Sequence, residues 1–468
     1  MSTIQTDVLV LGAGPAGYVC AIRAADHGKK VVCVEWDNLG GTCLNWGCIP
    51  SKALISAGHF VESTRHAADM GFTVDAPTLD LSKLIAWKDG IVKKLTGGVG
   101  MLFKSRKIEW VKGKGRIVDA NTVEVETAEG KVTIKCTDLV VATGSEPAPI
   151  PGFEFGEHVW SSTEALSPTE LPKRLFVIGG GVIGMELGMF YAQVGCEVTV
   201  VEFMDQILPG TDPDLVKVVA RKAKKAGVKI HVKSAAKSWR KTGDGLEVTA
   251  EIQGKEQVFG ADAILLTVGR RPVTADIGLE NVGVKTDKRG FIEVDAQCCT
   301  KTPHVYAIGD ITHGPMLAHK GSAQGLVAAG AITRQPGVAY DYKVVPAVIF
   351  TDPEIAWVGA TEAELKEQGV DYKVGKFNFG ANGRAMSMHQ TDGLVKVLAD
   401  AKDDTVLGVH MVGPSVTDLI SEASLAIEGG LTVEDITLTI HPHPTLSEVF
   451  MEACEDVHQM SPHAVYRR

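Results

Sequence analysis

The chain has 468 residues, 45% hydrophobic and 22% charged, with a formal net charge of −10. That length is too great for one core and fits three domains, perhaps a fourth. The acidic balance argues against nucleic acid as the main partner and against a polybasic membrane contact.

The chain opens MSTIQTDVLVLGAGPAG, with no charged leader before the apolar run. That run is too short to span a bilayer, and no later stretch reaches 18 apolar residues without a charge. Cytoplasmic residence is therefore expected, with no membrane partner. TDVLVLGAGPAGYVCAIRAADHGKKVVCVE (6–35) reads as strand, glycine turn, helix, strand. Gly12, Gly14 and Gly17 supply G-x-G-x-x-G, whose turn allows backbone and helix N-terminus to approach a pyrophosphate. Glu35 closes the second strand, where a carboxylate can hold a ribose hydroxyl.

Next comes GGTCLNWGCIPSKA (40–53), which sets Cys43 and Cys48 in a C-x₄-C spacing. Three readings are weighed: a metal half-site, a structural staple and a redox pair. Zinc usually takes a second cysteine pair or a histidine pair, and the only histidines close in sequence are those of HPH (441–443). No metal is expected. A structural disulfide is unlikely in a reducing compartment. If IPSKALISAGHF begins a helix, Cys48 lies at or just before its first turn, where free N–H groups favour a thiolate. Pro50 suits that turn because it has no N–H to satisfy. The remaining cysteines are mostly isolated, and the adjacent pair Cys298–Cys299 is read as incidental.

GRIVDANTVEVETAEGKVTIK (115–135) alternates like antiparallel strands. DLVVATGSEPAPIPG (138–152) is a strand and a Thr-Gly turn, expected to return to the first nucleotide unit. RLFVIGGGVIGMELGMFYAQVGCEVTVVE (174–202) repeats the glycine pattern at Gly179, Gly181 and Gly184 and ends at Glu202. In both units the acid stands eighteen residues past the last glycine. The residues after Glu202 are Phe203, Met204 and Asp205, with no Arg for a 2′-phosphate, so NAD is preferred over NADP at the second site. Two such units suggest two dinucleotides that exchange electrons. HVYAIGDIT (304–312) is a strand ending at Asp310, whose carboxylate suits a flavin ribitol; that assigns FAD to the first unit and NAD to the second. The segment FNFGANGRAMSMHQTDGLVKVLADAKDDTVLGVHMVG (377–413) reads as antiparallel strands. Finally ITLTIHPHPTLSEVFMEAC (436–454) offers His441, His443 and Glu448. A histidine base before a helix and an acid in its first turn suit thiol proton transfer. The plain alternative is a loop before a terminal helix.

Together GAGPAG, GGTCLNWGCIPSKAL, ATGSEP, GGGVIGMELG, TVGRRP, YAIGD and HPHPTLSE resemble the flavoprotein pyridine nucleotide–disulfide oxidoreductases, and among them the dihydrolipoamide dehydrogenase family. The resemblance runs in order from about residue 5 to 460. It implies an α/β fold with two Rossmann-like dinucleotide-binding domains and a C-terminal α+β dimerisation domain. The expected division is 1–145 with 275–347 for FAD, 146–274 for NAD, and 348–468 for the interface. It implies a homodimer that oxidises dihydrolipoyl groups through a Cys43–Cys48 disulfide and FAD, passing hydride to NAD⁺. Expected partners are lipoyl domains and the acyltransferase core of 2-oxo acid dehydrogenase complexes, or the lipoyl protein of glycine cleavage.

Position by position, Cys43 resembles the interchange thiol and Cys48 the thiol against the flavin. Lys52 resembles the residue beside the flavin N5, with Glu186 as its ion-pair partner. Asp310 matches the ribitol ligand. Thr42, Gly115, Thr143, Gly144 and the run Met316, Leu317, Ala318, His319 match further cofactor contacts. Gly179–Glu186, Glu202 and Gly269 match the NAD site. His443 resembles the acid–base residue and Glu448 its orienting partner, in a segment that reaches the cysteines of the other subunit. Two positions depart from the family. Trp46 replaces a small aliphatic residue between the cysteines, where its bulk is expected to narrow the approach to them. LAHKGSAQG replaces the usual Ala and acidic residues after LAHK. Competing readings are a related disulfide reductase or transhydrogenase with another acceptor, and a chiefly structural subunit. Missing NADP-binding arginines, the intact redox pair, and no cysteine pair before the terminal Arg467–Arg468 count against them.

Overall fold

The computed structural model describes residues 2–466. Its first layer is a five-stranded parallel sheet in the order Val305–Ala307, Asp138–Val141, Val8–Leu11, Val31–Glu35, Glu109–Lys112. Both the strand before the Thr-Gly turn and the strand before Asp310 do return to the first nucleotide unit. The pleat explains why Val8–Leu11 is apolar throughout. Successive side chains face opposite sides, and both sides are covered. Val8 and Val10 pack with Cys20, Ala24 and Val327 of the helices, whereas Leu9 and Leu11 pack with Ile117, Val123 and Ile134. The last three belong to the 115–135 excursion, an antiparallel sheet that Ser2–Gln5 extends.

Helix α1 (Pro15–Asp26) follows the first glycine turn, with proline in its opening turn. Helix α2 (Gly41–Trp46), helix α3 (Cys48–Arg65) and helix α4 (Leu81–Ser105) follow the second strand. The second layer is again parallel: Val159–Trp160, Ala263–Leu266, Arg174–Ile178, Glu197–Val201, Lys229–His231. A short helix α5 (Ser162–Ala165) with a capping box lies between Val159–Trp160 and Arg174–Ile178, and helix α6 (Val182–Gln193) follows the glycine turn. Helix α6 is buried along nearly its whole length, which is why its sequence is apolar on every side. Helix α7 (Pro213–Lys225) lies beyond Glu202. The chain crosses between the layers at two strands that pair antiparallel, Ser145–Pro147 and Arg270–Pro272. Helix α8 (Ala318–Ile332) then packs on α1.

The third layer is an antiparallel five-stranded sheet that begins at Ala347–Ile349. The 377–413 segment supplies part of it, but it is not all strand. Its middle folds as a helical turn over Phe379–Ala381 and a short helix over Gly383–Ser387. The cause is local: the Asn382 side chain accepts from the Ala385 N–H and caps the helix. Lys396 in this sheet is 2% exposed and pairs with Asp212, Asp214 and Glu362, fastening the second layer to the third. Among the described residues no helix is long and apolar enough to cross a membrane.

Candidate active site

Each glycine turn shows why its three glycines are needed. A Cβ on Gly12 would stand 2.3 Å from the Ala142 carbonyl oxygen, and one on Gly17 would stand 1.9 Å from that of Gly12. The second turn repeats this with Gly179 against Thr267 (2.6 Å) and Gly184 against Gly179 (2.0 Å). The middle glycines differ. Nothing lies nearer than 4.0 Å at Gly14, and nothing lies within 4 Å at Gly181. The protein packs against the outer glycines and leaves space at the middle one, as close approach of a pyrophosphate requires.

The two acids are also used alike. Glu35 is buried and accepts from the Ala13 N–H at 2.9 Å and the Asp37 N–H at 3.0 Å. Glu202 accepts from the Gly180 and Met204 N–H groups, both at 2.7 Å. Each carboxylate braces its own turn and keeps lone pairs for a ribose hydroxyl. Burial raises the pKa of Glu35.

The cysteines stand on two consecutive helices after the first turn, Cys43 on the short α2 and Cys48 at the start of α3. Gly41 lies so near Gly14 that a Cβ on Gly41 would be 2.6 Å from the Gly14 Cα. Cys43 is therefore carried by a helix whose start presses on the nucleotide turn. Cys48 is the first residue of α3, so the thiol does sit in a helical first turn. The Cys43 thiol, and after it the Lys52 ammonium, pull Cys48 from its ordinary 9.0 down to about 7 against the effect of burial. The same contact raises Cys43. Lys52 Nζ lies 2.9 Å from Glu186 Oε2 and 4.6 Å from the centre of the Phe350 ring. Glu186, 4% exposed on α6, also accepts from the Phe350 N–H at 2.8 Å. One ion pair thus joins the helix after the cysteines to the helix of the second turn.

Asp310 accepts from the Ser145 hydroxyl at 2.6 Å, and Ser145 in turn accepts from Arg270 Nε at 2.7 Å. The Thr143 hydroxyl donates to the Val273 carbonyl at 2.6 Å, which leaves its backbone as the part free for a cofactor. Gly144 and Gly269 both have positive φ, 74° and 131°. Thr42 is exposed in the first turn of α2. Gly115 is tight against Leu11, 2.6 Å from where its Cβ would be. Met316 precedes α8; Leu317 caps it and Ala318 begins it, while His319 bonds the Pro346 carbonyl at 2.7 Å.

His443 Nδ1 lies 2.8 Å from Glu448 Oε1, and Glu448 opens the helix Glu448–Asp456. Although burial opposes it, the Thr445 N–H and His443 hold the Glu448 pKa below its ordinary range. The two histidines of HPH diverge. His441 is 4% exposed and bound to Glu422, whereas His443 is 79% exposed. Among the described residues no hydrogen bond or ion pair links His443 to Cys43 or Cys48 within the chain.

Residues 6–325 match the family model described as pyridine nucleotide-disulphide oxidoreductase, and residues 345–454 match that family's dimerisation domain. The chain belongs to the pyridine nucleotide-disulphide oxidoreductases. It is 50% identical over 453 residues to the dihydrolipoyl dehydrogenase of Bacillus subtilis, covering 97% of this chain and 96% of that one. It is 49% identical over 452 residues to the enzyme of that name from Geobacillus stearothermophilus, with the same coverage. Its fold matches LpdA from Mycobacterium tuberculosis with a TM-score of 0.90 at 27% identity, covering 97% and 99% of the two chains. The HOCl-induced flavoprotein disulfide reductase RclA from Escherichia coli matches at 0.86 and 26% identity, over 96% and 99%. Within this oxidoreductase family the chain is an FAD- and NAD-dependent enzyme.

Both family departures acquire a reason. The Trp46 indole N–H donates to Asp37 Oδ2 at 3.1 Å. This bond ties the ring to Asp37, two residues past the end of the second strand. In LAHKGSAQG, Gly321 and Gly325 let α8 close on α1; a Cβ on Gly325 would stand 2.5 Å from the Ala16 carbonyl oxygen. Gln324 takes the Gly309 N–H at 2.8 Å, and buried Lys320 donates to the Gly309 and Thr312 carbonyls. The unusual run holds the turn that carries Asp310. Sequence reasoning missed Ser145, Phe350 and the role of Arg270. Ser145 and Arg270 stand inside ATGSEP and TVGRRP, which were signals of position but not of partnership.

Proposed function

We propose that this chain is a dihydrolipoyl dehydrogenase, which oxidises dihydrolipoyl groups with NAD⁺ as acceptor. The observation that carries the reading is the thiol pair on α2 and the head of α3, with Cys48 lowered to about 7 beside the Lys52–Glu186 ion pair. Half-identity over nearly the whole length to two dihydrolipoyl dehydrogenases supports the same substrate.

A dihydrolipoyl thiolate attacks the Cys43 sulfur of the Cys43–Cys48 disulfide, and Cys48 leaves as a thiolate. The Lys52 ammonium and the free N–H groups of the first turn of α3 hold that charge. The second substrate thiol closes the lipoyl disulfide and expels Cys43, so two electrons and two protons leave the substrate. His443 of the partner subunit takes one thiol proton, and the expelled Cys43 sulfur takes the other. Glu448 accepts the imidazole Nδ1–H, fixes the tautomer and stabilises the imidazolium. Bound FAD would supply the two-electron acceptor for the Cys43–Cys48 dithiol and the hydride donor for NAD⁺. Gly12, Gly14, Gly17, Glu35, Thr42, Gly115, Thr143, Gly144, Asp310 and Met316–His319 would hold FAD. Gly179, Gly181, Gly184, Glu202 and Gly269 would hold NAD.

The domain division 1–145 with 275–347, 146–274 and 348–468 goes with this reading. So does a homodimer, because the HPH segment needs a second subunit to meet a cysteine pair. Lipoyl domains of 2-oxo acid dehydrogenase complexes or of glycine cleavage are the proposed partners. A cytoplasmic setting suits a chain with six buried free thiols.

Turnover of the holoenzyme with dihydrolipoamide and NAD⁺ tests the proposal, beside glutathione disulfide with NADPH. Dihydrolipoamide should be the better substrate, and Cys43→Ser should lower its turnover by roughly 10³-fold or more while flavin content is kept. Preference for glutathione disulfide, or an active Cys43→Ser enzyme, sinks it.

A further inference from the structure

Helix α3 starts at Cys48 and ends at Arg65, so its far end lies roughly 27 Å from the cysteines at 1.5 Å per residue. At that end a second chemical group is assembled from distant parts of the chain. His66 caps α3, and Asp69 lies in the 3₁₀ turn Ala67–Met70 that follows. Side chains three apart nearly eclipse in such a turn, which sets His66 Nδ1 3.7 Å from Asp69 Oδ2. His389, in the turn between the short helix Gly383–Ser387 and the third-layer strand Leu394–Asp400, reaches the same oxygen, with Nε2 at 3.0 Å. The two imidazole rings lie 5.5 Å apart, tilted by 50°. One ligand atom from each of the three side chains lies within 4.8 Å of the others.

One carboxylate oxygen faced by two imidazole nitrogens is more than a hydrogen bond to one histidine needs. A second feature points the same way. The opposite nitrogen of His66, Nε2, faces Glu62 Oε1 at 3.6 Å. Glu62 is itself held by Arg65 at 2.9 Å and by Lys222 of α7 at 3.4 Å. At 3.6 Å this carboxylate is just outside hydrogen-bond reach, and a small turn of the ring would let it accept the far N–H and leave the near lone pair for a metal.

We propose that His66, Asp69 and His389 form a binding site for a borderline divalent cation, of which zinc is the representative. Two imidazoles and one carboxylate, with a water in the fourth position, are an ordinary zinc set. Bonds of about 2.1 Å at tetrahedral angles need ligand atoms about 3.4 Å apart, which small side-chain rotations reach from the present spacing. The side chains are 44, 56 and 49% exposed, so the cation enters from solvent. Its effect is to staple the end of the cysteine-bearing helix to the third layer. His66 and His389 are 323 positions apart, so no sequence spacing could announce the pair.

The test uses the flavin-loaded full chain in a Cys43→Ser/Cys48→Ser background, which removes the exposed Cys48 and its half-buried neighbour Cys43 as competing ligands. After stripping with chelator, the protein is dialysed against micromolar zinc and its metal content measured. The background should retain one zinc per chain and gain thermal stability with it. His66→Gln and His389→Gln should each lose both the zinc and the gain, while unchanged flavin absorbance reports folding. Glu62→Gln should weaken binding roughly 10–100-fold without removing the site. Zinc absent from the background, or retained equally by the histidine variants, overturns the proposal.

Discussion

The two glycine turns are near-copies up to the end of their second strands. Each spends its outer glycines on backbone packing, leaves its middle glycine facing space, and braces itself on one buried glutamate. They part immediately afterwards. After Glu35 the chain lays Gly41 against the turn and raises Cys43 and Cys48 above it. After Glu202 it closes with a loop whose Leu208 N–H returns to the Gly180 carbonyl at 2.8 Å, and Phe203 stays 77% exposed. A common turn binds a dinucleotide. What the chain does next decides whether that dinucleotide meets a thiol pair or an open surface.

The largest effect that would break the equivalence comes from the third glycines. Gly17→Ala drives a Cβ to 1.9 Å from a carbonyl oxygen in the first unit, and Gly184→Ala to 2.0 Å in the second. Overpacking of backbone on backbone costs about 1–3 kcal/mol or more. Gly17→Ala should yield little flavin-loaded protein. Gly184→Ala should keep its flavin and its reducible cysteine pair but lose NAD⁺ reduction at least tenfold. Flavin content and NAD⁺ turnover measured side by side check this, and equal behaviour of the two variants would show that the units are not independent.

Next comes the bond that couples the units. Lys52→Met removes the cation beside Cys48 and leaves Glu186 unpaired. The Cys48 pKa is held below its ordinary 9.0, at about 7. The thiolate therefore forms above about pH 7, and the stabilisation it brings to the reduced enzyme is full above about pH 9 and fades as pH falls through 7. In Lys52→Met that window should move upward. The rate of iodoacetamide alkylation of the reduced enzyme, followed against pH, reads it; an unmoved midpoint would assign the shift to the helix and Cys43 alone. The smallest effect is expected at Trp46. Trp46→Leu deletes one exposed hydrogen bond to Asp37, worth about 0.5–1.5 kcal/mol. Thermal stability should fall slightly and dihydrolipoamide turnover should change less than threefold, whereas a large gain in turnover would show that the ring obstructs the cysteines.

Much of this was legible before folding because it is local. Strand, turn and helix periods, the proline behind Cys48 and the acid at a strand end all lie within a few residues of one another. The family resemblance, not spacing, supplied the Lys52–Glu186 pair across 134 positions. The 377–413 segment was misread in its middle because a single side-chain cap at Asn382 outweighs a weak strand pattern. Ser145, Asp310 and Arg270 could be seen singly, but their chain of hydrogen bonds spans 165 and 125 positions.

By itself the sequence determined two nucleotide turns, a cysteine pair at a helix start and a histidine–glutamate pair before the last helix. These are short-range patterns in which backbone geometry forces the residue type. Only the tertiary structure decided where side chains aim. It turned Trp46 to Asp37, sent His441 inward while His443 stayed out, and brought His66 to His389. Those directions depend on partners outside the short motifs, nine positions away for Trp46, nineteen for His441 and hundreds for His66, and packing brings such partners together.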